Sequence, residues 1–433
     1  MFGFFYFYSH KMNRYLNIAI PVLVFLLLVP MLPYLPGMGY DLGKFQEWTL
    51  NIFQNGLRNT YGDTDYMPLY HYILWIYIKM AGSAQSIVDH IRYLRFFTLA
   101  FDFLGIWYVY KWINKKTAFF VLVLVSVLNL GYSYDTIIWS QVDGILSALV
   151  FIAIYYAWKG KNVLSAVFMV LAFNFKVQSI IVLPVWALLF LTNIIKDKSW
   201  KNVVLPVLAS IAVQVIVVIP FLMGKYGLRE ITSIITNSFS VYQCISIKAA
   251  NMWHWFVAIN PKYGNETLIF TPDAKIFIAG LTYKQVGLSL FFIASFFTLL
   301  PMTILGIKNY RTGNKNFLAS RELIWLTCAL LYLLFYFFNT EIHDRYCQPS
   351  FIFITAYSFY TRKFTSYVLF SIMYFLTLEV SVQQFHFSNY ETLIFDFRFL
   401  AGLTALVIID LGRKIYKEYR MTLVSADAAG RFI

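Results

Sequence analysis

Long apolar runs recur over residues 17–413, and these runs constrain the fold of the chain more than any other feature. A helix that crosses a bilayer needs about 17–25 mostly apolar residues, and only helices or closed barrels satisfy their backbone hydrogen bonds in lipid. Only 13% of the residues are charged and 60% are hydrophobic, which rules out a soluble globular enzyme because such domains are about 25% charged. The sequence therefore predicts an all-α, polytopic integral membrane protein.

The formal charge of +14 would suggest nucleic acid as a partner of a soluble domain. In a membrane protein, Lys and Arg instead collect in cytoplasmic loops, so no nucleic-acid partner is expected. The cysteines Cys244, Cys328 and Cys347 have no CxxC spacing. They predict neither a disulfide framework nor a zinc site.

Basic residues alternate along the chain in a way that predicts its path through the membrane. Lys11 and Arg14 place the N-terminus in the cytoplasm, and the basic residues of 413–420 place the C-terminus there too, by the positive-inside rule. About twelve spans are expected, near residues 17–35, 91–113, 117–133, 143–158, 161–175, 177–194, 202–223, 284–306, 321–339, 345–360, 364–380 and 394–412. A first external loop then covers about 36–90, and a large external loop covers about 224–284.

The apolar segment 67–81 is better explained by a helix that lies on the outer leaflet. It is short for a span and contains His71 and Lys79. Only one crossing can separate the first external loop from the cytoplasmic Lys111, and residues 91–113 supply it. Residues 1–423 are expected to form a single transmembrane domain, followed by a polar tail over 424–433.

Charged and amide side chains near membrane depth are costly, so their positions point to function. In the predicted topology they gather near the external side: Asp41, Lys44, Glu47, Asp63, Asp65, Trp139, Gln141, Asp143, Lys176, Gln178, His343, Asp344, Arg345 and Tyr346. This pattern predicts a cavity that opens outward, with acids on a loop and bases at helix ends. The alternatives are a solvated loop carboxylate at Asp41 and a snorkelling side chain at Lys176.

Such a cavity suits a reaction with an anionic leaving group and a neutral nucleophile. In sugar transfer from a phosphate carrier, the leaving phosphate needs cationic hydrogen bonds, for which Arg345 offers a bidentate fork. One carboxylate then suffices to take the proton of the acceptor hydroxyl, and in-line attack would invert the anomeric centre. No predicted loop has the length or Gly-rich turn of a nucleotide-binding domain, so a lipid-linked sugar is favoured over a nucleotide sugar.

Six short motifs occur in order over residues 40–346. They are Tyr40-Asp41 through Trp48, Asp65-Tyr66-Met67-Pro68-Leu69, Trp139-Ser140-Gln141-Val142-Asp143, Phe175-Lys176-Val177-Gln178, Asn251-Met252-Trp253 and His343-Asp344-Arg345-Tyr346. On these motifs the chain resembles the GT-C superfamily of polyprenyl-phosphate-sugar-dependent glycosyltransferases, and within it the prokaryotic mannosyltransferases related to GPI mannosyltransferase II. That family usually reads DYPPL, WGQ-x-D, FKPQ and HERY, so Met67, Ser140, Val177 and Asp344 depart from its pattern.

The resemblance implies a GT-C fold with interfacial helices in the first external loop, and it implies roles for individual residues. Asp41 would be the catalytic base. Contacts to the donor phosphate would fall on Arg345, His343 and Lys176. The pockets for sugar or acceptor would be shaped by Asp65, Tyr66, Trp139, Gln141, Asp143, Gln178, Asn251, Trp253 and Tyr346.

The resemblance also implies the reaction and its partners. A hexosyltransferase of this kind inverts the anomeric centre and moves a sugar, most commonly mannose, from a polyprenyl phosphate such as dolichol phosphate to an acceptor hydroxyl. The acceptor would be a glycolipid, a glycan or a protein. The membrane would be a bacterial inner membrane or the endoplasmic reticulum, with the site facing the periplasm or lumen.

Asp63-Thr64-Asp65 has the DxD pattern that can hold a divalent cation against a diphosphate. Asp65 already belongs to a motif of the resemblance, and monophosphate donors of this branch resemble metal-independent cases, so no metal or other cofactor is expected. Two other functions stay open. A transporter or flippase would have its site at the midplane between repeated halves, and no repeat is visible. A polysaccharide polymerase with a lipid-diphosphate donor would favour an Arg-rich loop, whereas Arg229 is the sole arginine in 224–284.

Overall fold

The computed structural model describes residues 15–37, 39–60, 66–197, 199–225, 227–237, 242–311 and 320–430. Helices dominate this part of the chain, as the apolar runs predict. The helices are α1 (Leu16–Leu28), α2 (Gly39–Asn55), α3 (Pro68–Ala81), α4 (Ala84–Asp89), α5 (Arg95–Trp112), α6 (Phe119–Val127), α7 (Leu130–Ser133), α8 (Asp143–Trp158), α9 (Asn162–Phe175), α10 (Leu183–Asp197), α11 (Lys201–Leu222), α12 (Gly227–Asn237), α13 (Trp253–Phe256), α14 (Tyr283–Arg311), α15 (Arg321–Phe338), α16 (Gln348–Thr361), α17 (Thr365–Val382) and α18 (Phe397–Gly430). The strands are β1 (Ser246–Ile247), β2 (Ile276–Ile278), β3 (Leu281–Thr282) and β4 (Ile342–His343).

Several helices have the length and apolar character of membrane spans, which confirms a multi-pass membrane protein. Within the described residues, six helical segments qualify: Leu16–Tyr34, Val177–Lys196, Lys201–Leu222, Tyr283–Arg311, Arg321–Phe338 and Thr365–Val382. A seventh would combine Phe119–Val127 with Leu130–Trp139, which are bent by 69° at their junction. The helices α8 and α9 are apolar but shorter. The predicted total of about twelve spans is not confirmed.

Three of the long helices present apolar side chains on the outside of the molecule. Leu23 of α1, Ile216 of α11 and Phe292 of α14 are each more than half exposed, and their neighbours on the same helices are similar. Water-soluble proteins rarely expose such large contiguous apolar patches. These sides of the molecule therefore face lipid, where exposed apolar side chains carry no penalty.

The centre of the molecule is formed by α8, α15 and α16, whose residues are almost all buried. Helix α8 packs against α5, α9 and α16, and α15 packs against α16 and α18. Gly144 permits the close approach of α5, because a Cβ there would overlap the Asp102 carboxylate. The N-terminus of α8 is thereby held in the middle of the bundle.

Within its described residues, the first predicted external loop contains three α-helices, α2, α3 and α4, which pack against one another. Helix α3 coincides with the predicted helix over 67–81 and also contacts α9 and α11. Its burial is one-sided, since Tyr70 and Leu74 are buried while Met80 is exposed. At the other end of the chain, α18 continues as a helix through the predicted polar tail as far as Gly430.

The large predicted loop over 224–284 is tied to the segment that follows α15. Strand β1 pairs in parallel with β4, with Ser246 opposite Ile342 and Ile247 opposite His343. Lys284 Nζ, at the start of α14, lies 2.6 Å from Glu341 Oε1, directly before β4. These contacts fix the residues after α15 even though no helix contains them.

Candidate functional site

Residues 134–143 turn the chain into α8 and bring three predicted site residues together. Tyr134–Trp139 form one π turn, a rare element that is frequent at functional sites. Ser140 follows in the left-handed region, with φ 77° and ψ 28°. The Gln141 N–H closes the turn with a 2.8 Å hydrogen bond to a backbone carbonyl, and α8 begins at Asp143. Trp139 and Asp143 thereby both come to lie next to Arg345.

Trp139 binds the predicted base directly. Its Nε1–H donates a 2.7 Å hydrogen bond to Asp41 Oδ2 across 98 positions of sequence. Asp41 lies in the first turn of α2, a helix within the predicted first external loop. The chain re-enters a helix soon after the first apolar run, and the positive end of a helix dipole favours a carboxylate in the first turn. The Asp41 side chain is half-buried and oriented by the indole.

Asp143 is the centre of a buried charge cluster. Its Oδ1 accepts a hydrogen bond from Lys176 Nζ, and its Oδ2 lies 3.3 Å from Arg345 Nε. The Asp143 side chain is fully buried, and those of Lys176 and Arg345 are 16% and 9% exposed. Two cations therefore face one carboxylate at contact distance. Because buried charge is costly unless matched, the two cations favour a further anion beside Asp143, either another acidic side chain or a bound ligand.

Asp344 borders this cluster at a longer distance, with its Oδ1 4.0 Å from Arg345 Nη1. Burial raises the pKa of the Asp344 carboxyl to about 7, and Arg345 acts in the opposite direction. The group is therefore only partly ionised at neutral pH. Asp344 therefore neutralises less of the positive charge of Arg345 and Lys176 than Asp143 does.

Aromatic rings support both cations. The Arg345 guanidinium lies 5.1 Å from the centre of the Trp139 ring, and Lys176 Nζ lies 5.0 Å from the centre of the Tyr346 ring. The Trp139 indole thus contacts Asp41 through its N–H and Arg345 through its face. The predicted base and the predicted phosphate ligand are held on opposite parts of one side chain.

His343 reaches the cluster from β4. Its ring packs edge-on against Tyr242, 4.7 Å between centres, and against Tyr346 at 5.3 Å. Burial lowers the pKa of His343 well below its usual value, and the charges of Arg345 and Lys176 add to this effect. The imidazole is therefore neutral at pH 7. It can donate or accept a hydrogen bond but does not add a third positive charge.

Two predicted amides and one histidine nitrogen have unused hydrogen-bonding capacity. Within the described residues, both side-chain polar atoms of Gln141 and of Gln178 are buried without a hydrogen-bond partner, as is Nε2 of His343. A buried polar atom without a partner costs about 1–3 kcal/mol. Such groups gathered beside a charge cluster are suited to a polar ligand.

Tyr66 adds an aromatic wall beside the cluster. Its ring packs against Trp48 and Tyr70, with centres 5.2 and 4.9 Å away. Desolvation raises the pKa of the Tyr66 hydroxyl, and the charges of Arg345 and Asp143 also act on it. This places Tyr66 within electrostatic reach of the residues predicted to bind the donor.

The remaining predicted residues lie elsewhere or outside the described residues. Asn251 Nδ2 donates to Ser246 Oγ at 3.2 Å, and Trp253 Nε1 donates to the Phe338 carbonyl at 3.0 Å. Both therefore brace β1 against the end of α15, and among the described residues they do not touch the Asp143 cluster. Asp65 falls outside the described residues.

Arg95, which the sequence motifs did not indicate, joins the two segments that carry Asp41 and Trp139. Its Nη1–H donates to the Ile137 carbonyl at 2.7 Å, and its Nη2–H donates to the carbonyls of Leu35 and Pro36. Arg95 is almost fully buried at the start of α5. An arginine at the edge of an apolar run was the sequence feature that could have indicated its role. A buried arginine in such a position needs several hydrogen-bond acceptors.

Asp135 was also missed, although it lies inside the π turn. Its side chain is fully buried, and neither carboxylate oxygen has a hydrogen-bond partner in the part of the chain described. It interacts electrostatically with Asp143, Arg345 and Lys176. The sequence feature that could have indicated Asp135 is an acidic residue within an apolar run, four residues before Trp139.

Comparison with known proteins adds no family: no family model matches this chain, and no curated protein matches it. Across the described residues, no group of three or more His, Cys, Asp or Glu side chains is arranged to hold a metal ion. Asp63 and Asp65, the predicted DxD pair, are not among those residues.

Proposed function

We propose that this protein is an inverting glycosyltransferase of the GT-C type. It transfers a sugar, with mannose as the first candidate, from a polyprenyl-phosphate donor to an acceptor hydroxyl. The observation that carries the proposal is the Trp139 indole, which holds the Asp41 carboxylate by its N–H and supports the Arg345 guanidinium with its face. A base and a phosphate-binding cation on either side of one rigid side chain are what such a transfer needs.

In the proposed reaction, the acceptor oxygen attacks the anomeric carbon as Asp41 accepts the hydroxyl proton. The bond between the anomeric carbon and the phosphate oxygen breaks, and the phosphate leaves with the bonding electrons. Attack from the face opposite the phosphate inverts the anomeric configuration. A single carboxylate suffices because the phosphate is a stable anion that needs no protonating acid.

Arg345 and Lys176 would bind the departing phosphate. Asp143 holds both cations before any donor arrives, so little reorganisation is needed when charge develops on the leaving group. The neutral His343 ring would donate one further hydrogen bond to a phosphate oxygen. The unpartnered amides of Gln141 and Gln178 would bind hydroxyl groups of the sugar or acceptor.

The donor and the membrane follow from the setting of this site. The cluster lies at the ends of apolar helices, where the phosphate of a lipid-linked sugar would sit at the interface while its polyprenyl chain stays in lipid. In this proposal the site faces the periplasm or lumen, about twelve spans surround it, and both termini are cytoplasmic. The acceptor is a glycolipid, a glycan or a protein. No metal takes part, since the cations are supplied by the chain.

The test is transfer by the purified full chain from a panel of donors to a simple glycoside. The panel contains short-chain polyprenyl phosphates of several hexoses and pentoses, the matching lipid diphosphates and the matching nucleotide sugars. We expect turnover with a polyprenyl monophosphate alone, unchanged by chelator, and a product of opposite anomeric configuration. Transfer from a diphosphate or nucleotide donor would contradict the proposed donor. No transfer, with substrate uptake in liposomes instead, would support a transporter.

A further inference from the structure

A second cluster of cations surrounds two aromatic rings far from the candidate site. Lys116 Nζ lies 3.5 Å from the centre of the Tyr360 ring, and the Arg321 guanidinium lies 4.9 Å from the same centre. Arg321 also lies 5.0 Å from the Trp158 ring, over which Lys159 Nζ sits at 4.7 Å. The two rings thus connect three cations that are distant in sequence.

Hydrogen bonds to backbone carbonyls fix this arrangement and add a fourth cation. Arg362 Nη2 donates to the Lys116 carbonyl at 2.8 Å, and Arg321 Nη1 donates to the Trp112 carbonyl at 2.8 Å. The cluster joins the connection between α5 and α6, the end of α8, the start of α15 and the end of α16. It is therefore a product of the tertiary fold.

In the part of the chain that the structure describes, these cations differ from their neighbours in forming no ion pair with an acidic side chain. Among the residues that the structure describes, none of Lys116, Lys159, Arg321 and Arg362 forms an ion pair. On nearby helices, by contrast, Lys363 lies 3.6 Å from Glu418 and Lys414 lies 2.6 Å from Asp410. The cluster around Tyr360 and Trp158 keeps its positive charge available for an external anion.

Helix α8 gives the position of the cluster relative to the candidate site. It begins at Asp143 and ends at Trp158, and a rise of 1.5 Å per residue separates these ends by about 22 Å. This approaches the roughly 30 Å of the hydrocarbon core. Trp and Tyr are enriched at membrane surfaces, so the two clusters lie near opposite surfaces of the bilayer.

We infer that Lys116, Lys159, Arg321 and Arg362 bind the phosphate headgroup of an anionic lipid in the leaflet opposite the Asp143 cluster. Cations at a helix-end interface match the height of a lipid phosphate. The aromatic faces would support the guanidinium and ammonium groups as they lose water. A lipid also has acyl chains that can lie along the apolar helix sides. This site does not depend on the proposed transfer reaction.

The experiment is native mass spectrometry of the detergent-purified full chain, titrated with three probes. The probes are dioctanoyl phosphatidylglycerol, dioctanoyl phosphatidylcholine and inorganic phosphate. We expect the anionic lipid to bind wild type at least tenfold more tightly than the other two. The double variant K116Q/K159Q should lose about tenfold or more of that affinity. Each Lys or Arg near a membrane surface strengthens the binding of an anionic lipid several-fold, and the double variant removes two of them.

The control is K363Q, which removes a charge already paired with Glu418 and should change the affinity less than twofold. Both lysines of the double variant are exposed, so these substitutions should leave the fold intact. The single variant K116E provides a second test of the charge at Lys116. Equal affinity for the two lipids, or unchanged affinity in both variants, would overturn the inference. Inorganic phosphate that binds as tightly as the anionic lipid would also overturn it, in favour of a soluble anion.

Discussion

Trp139 couples the two halves of the candidate site, since its N–H orients Asp41 and its ring face supports Arg345. Replacing Trp139 by Phe keeps an aromatic face but removes the donor to the carboxylate. A hydrogen bond to a charged group contributes about 1.5–3 kcal/mol, so kcat should fall roughly tenfold or more while donor affinity changes little. W139A should reduce both quantities. Separate measurements of donor binding and of kcat test this, and equal loss of affinity in both variants would contradict the separation.

Ser140 occupies a backbone conformation that favours glycine, with φ 77°. Its Oγ is buried and, within the described residues, has no hydrogen-bond partner, so the hydroxyl contributes no bond that glycine would lose. S140G should therefore stabilise the protein by about 1 kcal/mol, because a left-handed non-glycine residue is strained by about that amount. S140V should destabilise it. Thermal unfolding in detergent tests both, and a lower melting temperature for S140G would refute the strain.

Asp344 predicts a pH dependence of stability. Its pKa is raised by burial to about 7, above about 3.9 for free Asp. The protonated carboxyl therefore contributes stability below pH 4, and this contribution is lost as the pH rises through 7. The melting temperature of wild type should fall between about pH 4 and 7 more steeply than that of D344N. Parallel curves for the two proteins would exclude a raised pKa.

Close packing between helices α5 and α8 positions the π turn. Asp102 of α5 accepts hydrogen bonds from Tyr132 and Thr136, and Gly144 leaves the space that its carboxylate occupies. G144A should push the two helices apart and destabilise the protein by about 1–3 kcal/mol. It should also lower transfer, because Asp143 is the adjacent residue.

The control for that substitution is G402A in α18, where a Cβ would meet nothing within 4 Å. Replacing a helical glycine by alanine without a clash should leave stability equal or raise it by up to about 1 kcal/mol. Thermal unfolding and transfer measured on both variants separate the effect of packing from that of helix propensity. Equal behaviour of the two variants would contradict a constraint at Gly144.

At the same scale, the sequence predicted helices well where apolar runs are continuous and poorly where the chain bends. Helix α8 matches the predicted span 143–158, whereas the span expected over 117–133 is interrupted after Val127 and continues as a bent pair. Hydropathy carries no signal for the direction of the chain after a polar break such as Asn129. In α2, the apolar residues Leu42, Phe45 and Trp48 recur every three residues, which is a helical spacing visible in the sequence. All three are buried in the structure.

The same limit applies to the candidate site. Polarity in an apolar context predicted that Asp143, Lys176 and Arg345 are functional, and the structure brings these three together. Their pairing was not predictable, because Asp143 and Arg345 meet only through the packing of α8 and α16. Arg95 was missed for a related reason, since its partners are backbone carbonyls that have no signature in the sequence.

On the scale of the whole molecule, the described helices form a bundle in which the Asp143 cluster lies at the start of α8 and the cations around Tyr360 and Trp158 lie at its end. The centre is almost completely buried, while α1, α11 and α14 expose apolar side chains that face lipid. The charged residues of the proposed site, Asp143, Lys176 and Arg345, lie at or next to helix ends, where an interfacial phosphate would reach them in the proposed reaction.

The most direct measurement is single-turnover transfer from the active polyprenyl-phosphate sugar, with donor binding measured in parallel, for wild type, D41N and E47Q. Glu47 is an exposed acid on the same helix, 3.0 Å from Lys44, so E47Q controls for loss of a negative charge. We expect D41N to lose transfer by at least a thousandfold with nearly unchanged donor affinity, and E47Q to behave as wild type. Transfer by D41N at a rate near wild type would contradict the role of Asp41 as base and, with it, the proposed reaction.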